Sequence, residues 1–218
     1  MRILFYGDSI TDANRNKEKD YQYEGQKFDQ SDYGFGYVRS IAGTLLSENP
    51  LKYQIYNRGI GGNRITDLYT RVKAHCWNLE PDVLSILIGV NDVWHEFGGG
   101  RNGVDIQRFE KVYRMLLEDT KAVLPNVKIV LIEPFVLEGR ATQAQWDMFL
   151  AVKDYAKVVK KLAKEYEAIF IPLQEKFDEV AKKYGAEAYL SDGVHPAIAG
   201  AQLIADEWVK VFKQEIDK

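Results

Sequence analysis

Ser9 closes the run RILFYGDS, and His195 stands in SDGVHP with Asp192 three positions before it. A hydroxyl, an imidazole and a carboxylate are the parts of nucleophilic acyl transfer: a base takes the hydroxyl proton and a third group orients the base. The spacing in SDGVHP lets one short turn supply both the base and its orienting carboxylate. Pro196 favours an extended backbone at His195 and suits the first turn of the amphipathic segment IAGAQLIADEWVKVF. The positive end of that helix opposes imidazolium while Asp192 favours it, which leaves a near-neutral base. Blander roles exist for the same residues. Serine after a strand often caps or turns the chain, and a histidine beside a turn aspartate can simply cap a helix.

Acyl transfer also requires donors for the oxyanion. The backbone N–H of Ser9, the backbone N–H of Gly62 in GIGGN and the side-chain amide of Asn91 in GVND are the candidates. His75 falls within a helical pattern and reads as structural or surface. His95 follows Trp94 near a strand end, with no carboxylate evidently placed to orient it. Other frameworks are missing: no serine lies in G-x-S-x-G, and neither G-x-G-x-x-G after the first run nor a P-loop occurs. D-x-D does not follow the first run, and H-E-x-x-H is absent, so no metal and no cofactor is expected.

The elements that must position these groups are legible as apolar runs. RILFYG, KYQIYNRG, DVLSILIG and VKIVLIEP, with a weaker AIFIP at 168–172, are continuous rather than alternating, as strands covered on both faces are. Helical spacing lies between them, for example Ile65, Leu68, Val72 and Cys76. This alternation predicts a three-layer α/β domain on a parallel sheet, with ligands beyond the carboxyl ends of the strands. Ser9, Gly62 and Asn91 all follow such ends. The polar and aromatic loops at 14–33 and 95–103 are expected beside the site.

The chain of 218 residues suits a single domain over 1–218, and 46% hydrophobic with 28% charged residues is ordinary for a globular protein. A balance of 29 basic against 32 acidic residues, net −3, offers no basic stripe for nucleic acid. ILFY is too short for a signal segment and VLSILIGV too short to span a membrane. A lone cysteine, Cys76, excludes an internal disulfide and fits a reducing compartment, so a cytoplasmic protein without membrane partners is expected.

GDSIT at 7–11, GIGGN at 59–63, GVND at 89–92 and DGVH at 192–195 resemble, in order, the four blocks of the SGNH, or GDSL, hydrolases. The resemblance implies a flavodoxin-like fold with sheet order 2-1-3-4-5. It also implies Ser9 as nucleophile, His195 as base, Asp192 as its orienting group, and an oxyanion hole from Ser9, Gly62 and Asn91. GDSITD, GYV at 36–38, GVNDVW, PFVLEG at 134–139 and VHPAIAG are most similar to intracellular acetylxylan esterases. Those enzymes deacetylate xylo-oligosaccharides and form homo-oligomers. The loop 14–33 is longer and more charged than in such relatives, and Glu133 occupies a variable position.

Asp8, Trp94 and Tyr33 are the expected substrate contacts, the two aromatics as platforms for a sugar ring. Phe35 and Phe97 read instead as core or oligomer contacts. A lysophospholipase or thioesterase acting on longer acyl chains is the alternative within the same chemistry, and a non-catalytic carbohydrate-binding module is the alternative outside it. The polar loop after Ser9 favours a short acyl group.

Overall fold

The computed structural model of the chain describes residues 1–21, 23, 28–97 and 100–218, so the expected loops at 14–33 and 95–103 fall partly outside the described residues. Five strands form one all-parallel sheet: β1 (Arg2–Gly7), β2 (Gln54–Gly59), β3 (Val83–Leu87), β4 (Lys128–Ile132) and β5 (Ile169–Ile171). Their order is β2-β1-β3-β4-β5, as the motif resemblance implies. The helices that matter for the site are α1 (Ser9–Asp12), α2 (Tyr37–Glu48), α3 (Ile65–His75), α4 (Val90–Trp94), α5 (Ile106–Val123), α6 (Trp146–Phe149), α7 (Val152–Glu165), α8 (Gln174–Tyr184) and α9 (Ile198–Glu215).

The continuous apolar runs follow from burial on both faces of the sheet. Successive side chains of a strand point to opposite sides. Phe5 packs against Tyr37 of α2 and Trp208 of α9, whereas the next residue, Tyr6, donates its hydroxyl to the Leu68 carbonyl of α3 at 2.7 Å on the other face. Ile3, Leu4, Phe5 and Tyr6 are all fully buried. The one polar side chain within β3, Ser85, is also fully buried; its hydroxyl accepts from the Trp208 indole N–H at 3.0 Å.

The register brings the strand ends to one rim. Gly7 pairs with Gly59 on one side and Leu87 on the other, Leu87 pairs with Ile132, and Ile132 with Ile171. Segments leaving β1, β2, β3 and β4 therefore start from a common edge, the crevice side of an open parallel sheet. Among the described residues, no helix is long and apolar enough to cross a membrane.

Candidate active site

Ser9 begins the short helix that leaves β1, and His195 lies in the turn before α9. Across 186 positions of sequence, Ser9 Oγ and His195 Nε2 are 2.9 Å apart. Asp192 completes the array: its Oδ2 is 2.8 Å from His195 Nδ1, and its Oδ1 accepts the backbone N–H groups of Val194 and His195 at 2.9 and 2.8 Å. The carboxylate thus fixes both the ring and the backbone of the same histidine. Burial works to raise the Asp192 carboxyl, but the bonds from His195 and Val194 outweigh it and hold the group below the ordinary carboxylate range. With Asp192 ionised, the Nδ1–H tautomer is favoured and Nε2 faces the Ser9 hydroxyl as an acceptor.

The turn carrying Asp192 and His195 is anchored to the segment after β4. Leu137 N–H donates to the Gly193 carbonyl at 2.9 Å and Ala141 N–H to the Asp192 carbonyl at 2.8 Å. The buried Thr142 hydroxyl donates to the Leu137 carbonyl at 2.7 Å, tying the supporting segment to itself. Pro196, expected in the first turn of α9, lies just ahead of it, where it pairs with Leu190 as an isolated bridge.

The oxyanion candidates meet at one cavity of about 490 Å³, lined in part by Ser9, Gly62, Asn91 and His195. Gly62 has φ of +78°, and a Cβ there would meet only His95 Cε1 at 3.8 Å. Backbone conformation rather than space therefore calls for glycine. Neither Ser9 N–H nor Gly62 N–H donates to an acceptor among the described residues. Asn91 Nδ2 donates one hydrogen to the Asn63 carbonyl at 3.1 Å, which orients the amide and leaves its second hydrogen for a ligand.

Asp12 sets this glycine loop. Its Oδ2 accepts from Gly61 N–H at 2.9 Å and its Oδ1 pairs with Lys17 at 2.7 Å. The carbonyls at the two neighbouring strand ends are held by arginines: Gly59 O accepts from Arg15 at 2.9 Å and Gly7 O from Arg71 at 3.1 Å. Arg15 in turn pairs with Asp20. His75 is buried next to Arg71, with Nδ1 3.0 Å from the guanidinium; burial and then that positive charge push its pKa down to about 4, so it is a neutral structural acceptor. His95 lines the 490 Å³ cavity, and burial together with Arg64 lowers its pKa as well.

Two expected substrate contacts are corrected by burial. Asp8 is 1% exposed; its Oδ1 accepts from Ile10 N–H at 2.9 Å and caps α1, beneath the cleft rather than in it. Tyr33 is 3% exposed and adjoins a separate cavity with Phe28 and Arg39, where α2 packs over it. Trp94, the third, does line the cleft, with its ring 6.1 Å from that of His195 and edge-on to Phe149 of α6. Phe97, expected as a core or oligomer contact, is partly buried and packs on Phe149 against the core.

Phe35, expected as a core or oligomer contact, is not in the core. It is 74% exposed and lines a second cavity of about 410 Å³ that also includes Ser9, Asp12, Asn14 and His195. Glu133 is structural: its Oε2 accepts the N–H groups of Leu173 and Gln174 at 2.6 and 2.9 Å, at the start of α8.

Behind the site, burial pushes Asp8 up to about 7, and buried Asp92 of α4, with Asp8 as a neighbouring charge, well above the usual range. Asp92 Oδ1 accepts from Ile65 N–H at 3.0 Å and holds the start of α3. Among the described residues, no group of three His, Cys, Asp or Glu side chains is placed to hold a metal ion.

The sequence model of the family described as GDSL-like Lipase/Acylhydrolase matches residues 5–203 of the chain. The acetylxylan esterase of Geobacillus stearothermophilus is 33% identical over 219 aligned positions, covering 99% of this chain and 93% of that one. Among solved structures, a Parabacteroides merdae protein provisionally described as a GDSL-like lipase superposes with a TM-score of 0.86 at 40% identity, covering 98% of this chain and 96% of that one. Axe2, the acetylxylan esterase of G. stearothermophilus, superposes with a TM-score of 0.81 at 34% identity, covering 96% and 92%. Catalytic mutants of Axe2 have been solved at a serine, an aspartate and a histidine, the last two three positions apart as Asp192 and His195 are here.

Proposed function

This chain belongs to the GDSL-like lipase/acylhydrolase, or SGNH, family of esterases, and on that premise we propose that it removes acetyl groups from acetylated xylo-oligosaccharides by way of an acyl-enzyme on Ser9. The observation that carries the mechanism is the continuous chain of contacts from Ser9 Oγ through His195 to Asp192.

His195 Nε2 takes the Ser9 proton as Oγ attacks the ester carbonyl carbon. Negative charge then gathers on the carbonyl oxygen, where Ser9 N–H, Gly62 N–H and the second Asn91 N–H receive it. The imidazolium, held by Asp192, returns its proton to the departing sugar oxygen. Ser9 is left as an acetyl ester and the sugar leaves as a free alcohol. Water, deprotonated by the same nitrogen, attacks that ester; acetate departs and Ser9 regains its proton. The residues named supply every proton transfer in this cycle.

The acetyl assignment follows the acetylxylan esterase relatives, and polar side chains share both cavities, Asp12 and Asn14 in one and Asn102 in the other. A long acyl chain would need an apolar groove in their place. A homo-oligomer as the working form is part of the proposal and rests only on the motif resemblance to the intracellular acetylxylan esterases.

Acetate release from acetylated xylo-oligosaccharides, compared with acetylated glucose, mannose and chitin fragments and with 4-nitrophenyl octanoate, tests the assignment. The proposal expects the xylo-oligosaccharides to give the highest kcat/KM. Preference for the octanoyl ester would replace it with a lipid or thioester substrate.

A further inference from the structure

Ser9 and His195 line both the 410 Å³ and the 490 Å³ cavity, so the reacting pair stands on the divide between them. Each volume lies within the range of a small-ligand site, and an acetyl group fills little of either. Both have the mixture that suits a sugar ring, a flat aromatic face for its C–H surface and polar side chains for its hydroxyls. On one side these are Phe35 with Asp12 and Asn14; on the other they are Trp94 with His95 and Asn102.

The backbone of the Phe35 side is anchored although the ring is exposed. Phe35 N–H donates to the Ala13 carbonyl at 2.7 Å, and the Arg39 guanidinium lies 5.9 Å from the ring centroid. Gly34, with φ of +76°, allows the approach: a Cβ there would come within 2.5 Å of the Asp12 carbonyl. Facing it, Ala13 and Asn14 take left-handed φ of 44° and 59°, a region that L side chains seldom occupy. The fold thus maintains a strained wall and presents a large apolar side chain to solvent beside the nucleophile. A preorganised surface of this kind loses little entropy when a ligand settles on it.

From this two-sided arrangement we propose that the cleft binds a chain of at least two sugar rings across the Ser9–His195 divide, one on Phe35 and one on Trp94. The enzyme then acts on an acetyl group carried by an oligosaccharide in preference to a free acetylated sugar. This rests on the carbohydrate-esterase reading above and assigns Phe35 as the residue that reads chain length. No new bond chemistry is involved, because the reaction at Ser9 is unchanged.

The test is kcat/KM for acetylated xylose, xylobiose and xylotriose, each expressed relative to 4-nitrophenyl acetate, in the wild type, Phe35→Ala and Phe35→Trp. The wild-type ratio rises about tenfold or more from xylose to xylobiose, equivalent to about 1.4 kcal/mol of added transition-state binding. Phe35→Ala removes most of that rise, Phe35→Trp restores it, and light scattering shows the same mass for all three proteins. A ratio that is flat with chain length in the wild type, or unaffected by Phe35→Ala, overturns the two-ring cleft while leaving the esterase assignment standing. A change of mass in Phe35→Ala overturns it too, by making Phe35 a contact between copies. Turnover of 4-nitrophenyl acetate with none of any acetylated xylose compound overturns both readings.

Discussion

One carboxylate, Asp192, binds the same histidine twice: Oδ2 meets the His195 ring nitrogen Nδ1 and Oδ1 accepts the His195 backbone N–H, both at 2.8 Å. Ring orientation and backbone position are therefore set by a single side chain. Asp192→Asn keeps an oxygen for the backbone bond but can present an N–H to Nδ1, which reverses the imidazole tautomer. Steady-state kinetics on 4-nitrophenyl acetate should show kcat reduced about 10³- to 10⁴-fold, with little change in melting temperature. A loss under tenfold would mean that the turn geometry alone orients His195.

Asn91 holds one amide hydrogen on the Asn63 carbonyl and directs the other toward a cavity shared with Ser9. Truncation removes a donor that matters most when negative charge has formed. Asn91→Ala is expected to lower kcat about 10²- to 10³-fold while KM changes by less than about threefold. A rise in KM at constant kcat would make Asn91 a ground-state contact instead.

Asp8 gives a pH signature in stability. Its folded pKa, pushed up to about 7, exceeds the ordinary value of 3.8. Between these values the folded chain holds a proton that the unfolded chain has released, so stability falls as pH rises from about 4 to about 7 and the penalty is complete above that. Asp8→Asn keeps an acceptor for Ile10 N–H and abolishes this titration, and it also removes a neighbouring charge from Asp92. Urea unfolding should show the variant gaining on the wild type by about 4 kcal/mol between pH 4 and pH 8. A constant difference across that range would mean that Asp8 is solvated or paired when ionised.

The core can be perturbed without touching the chemistry. Ser85 Oγ is the acceptor for the buried Trp208 indole N–H. Ser85→Ala strands that donor and should cost about 1 to 3 kcal/mol in chemical denaturation, with kcat unchanged. An unaltered unfolding midpoint would show that the indole finds another acceptor.

The five strands were legible because burial on both faces leaves continuous apolar runs, and every predicted run contains its observed strand. The candidate site was legible for a related reason: Ser9, Gly62 and Asn91 follow strand ends, and Asp192 and His195 share one short turn. What remained hidden depends on contacts between distant segments. Phe35 is exposed where its backbone is tied to Ala13, and no local pattern distinguishes it from the buried Tyr33 two residues earlier. Asp8 reads as a site residue until its carboxylate is seen turned inward to cap α1. Glu133 reads only as a variable position until its carboxylate is found on the Leu173 N–H ahead of α8, 40 residues away. Helical and strand periodicities say which side chains are buried on an element, but not which loop another loop will hold.

The central claim is that Ser9 is the nucleophile and that His195 activates it. Mass spectrometry of the protein after exposure to a fluorophosphonate reads this directly, in the wild type, Ser9→Ala and His195→Ala. One adduct on the peptide containing Ser9 is predicted for the wild type, none for Ser9→Ala, and labelling at least about 10²-fold slower for His195→Ala. An adduct on any other residue, or full esterase turnover by Ser9→Ala, would contradict the account.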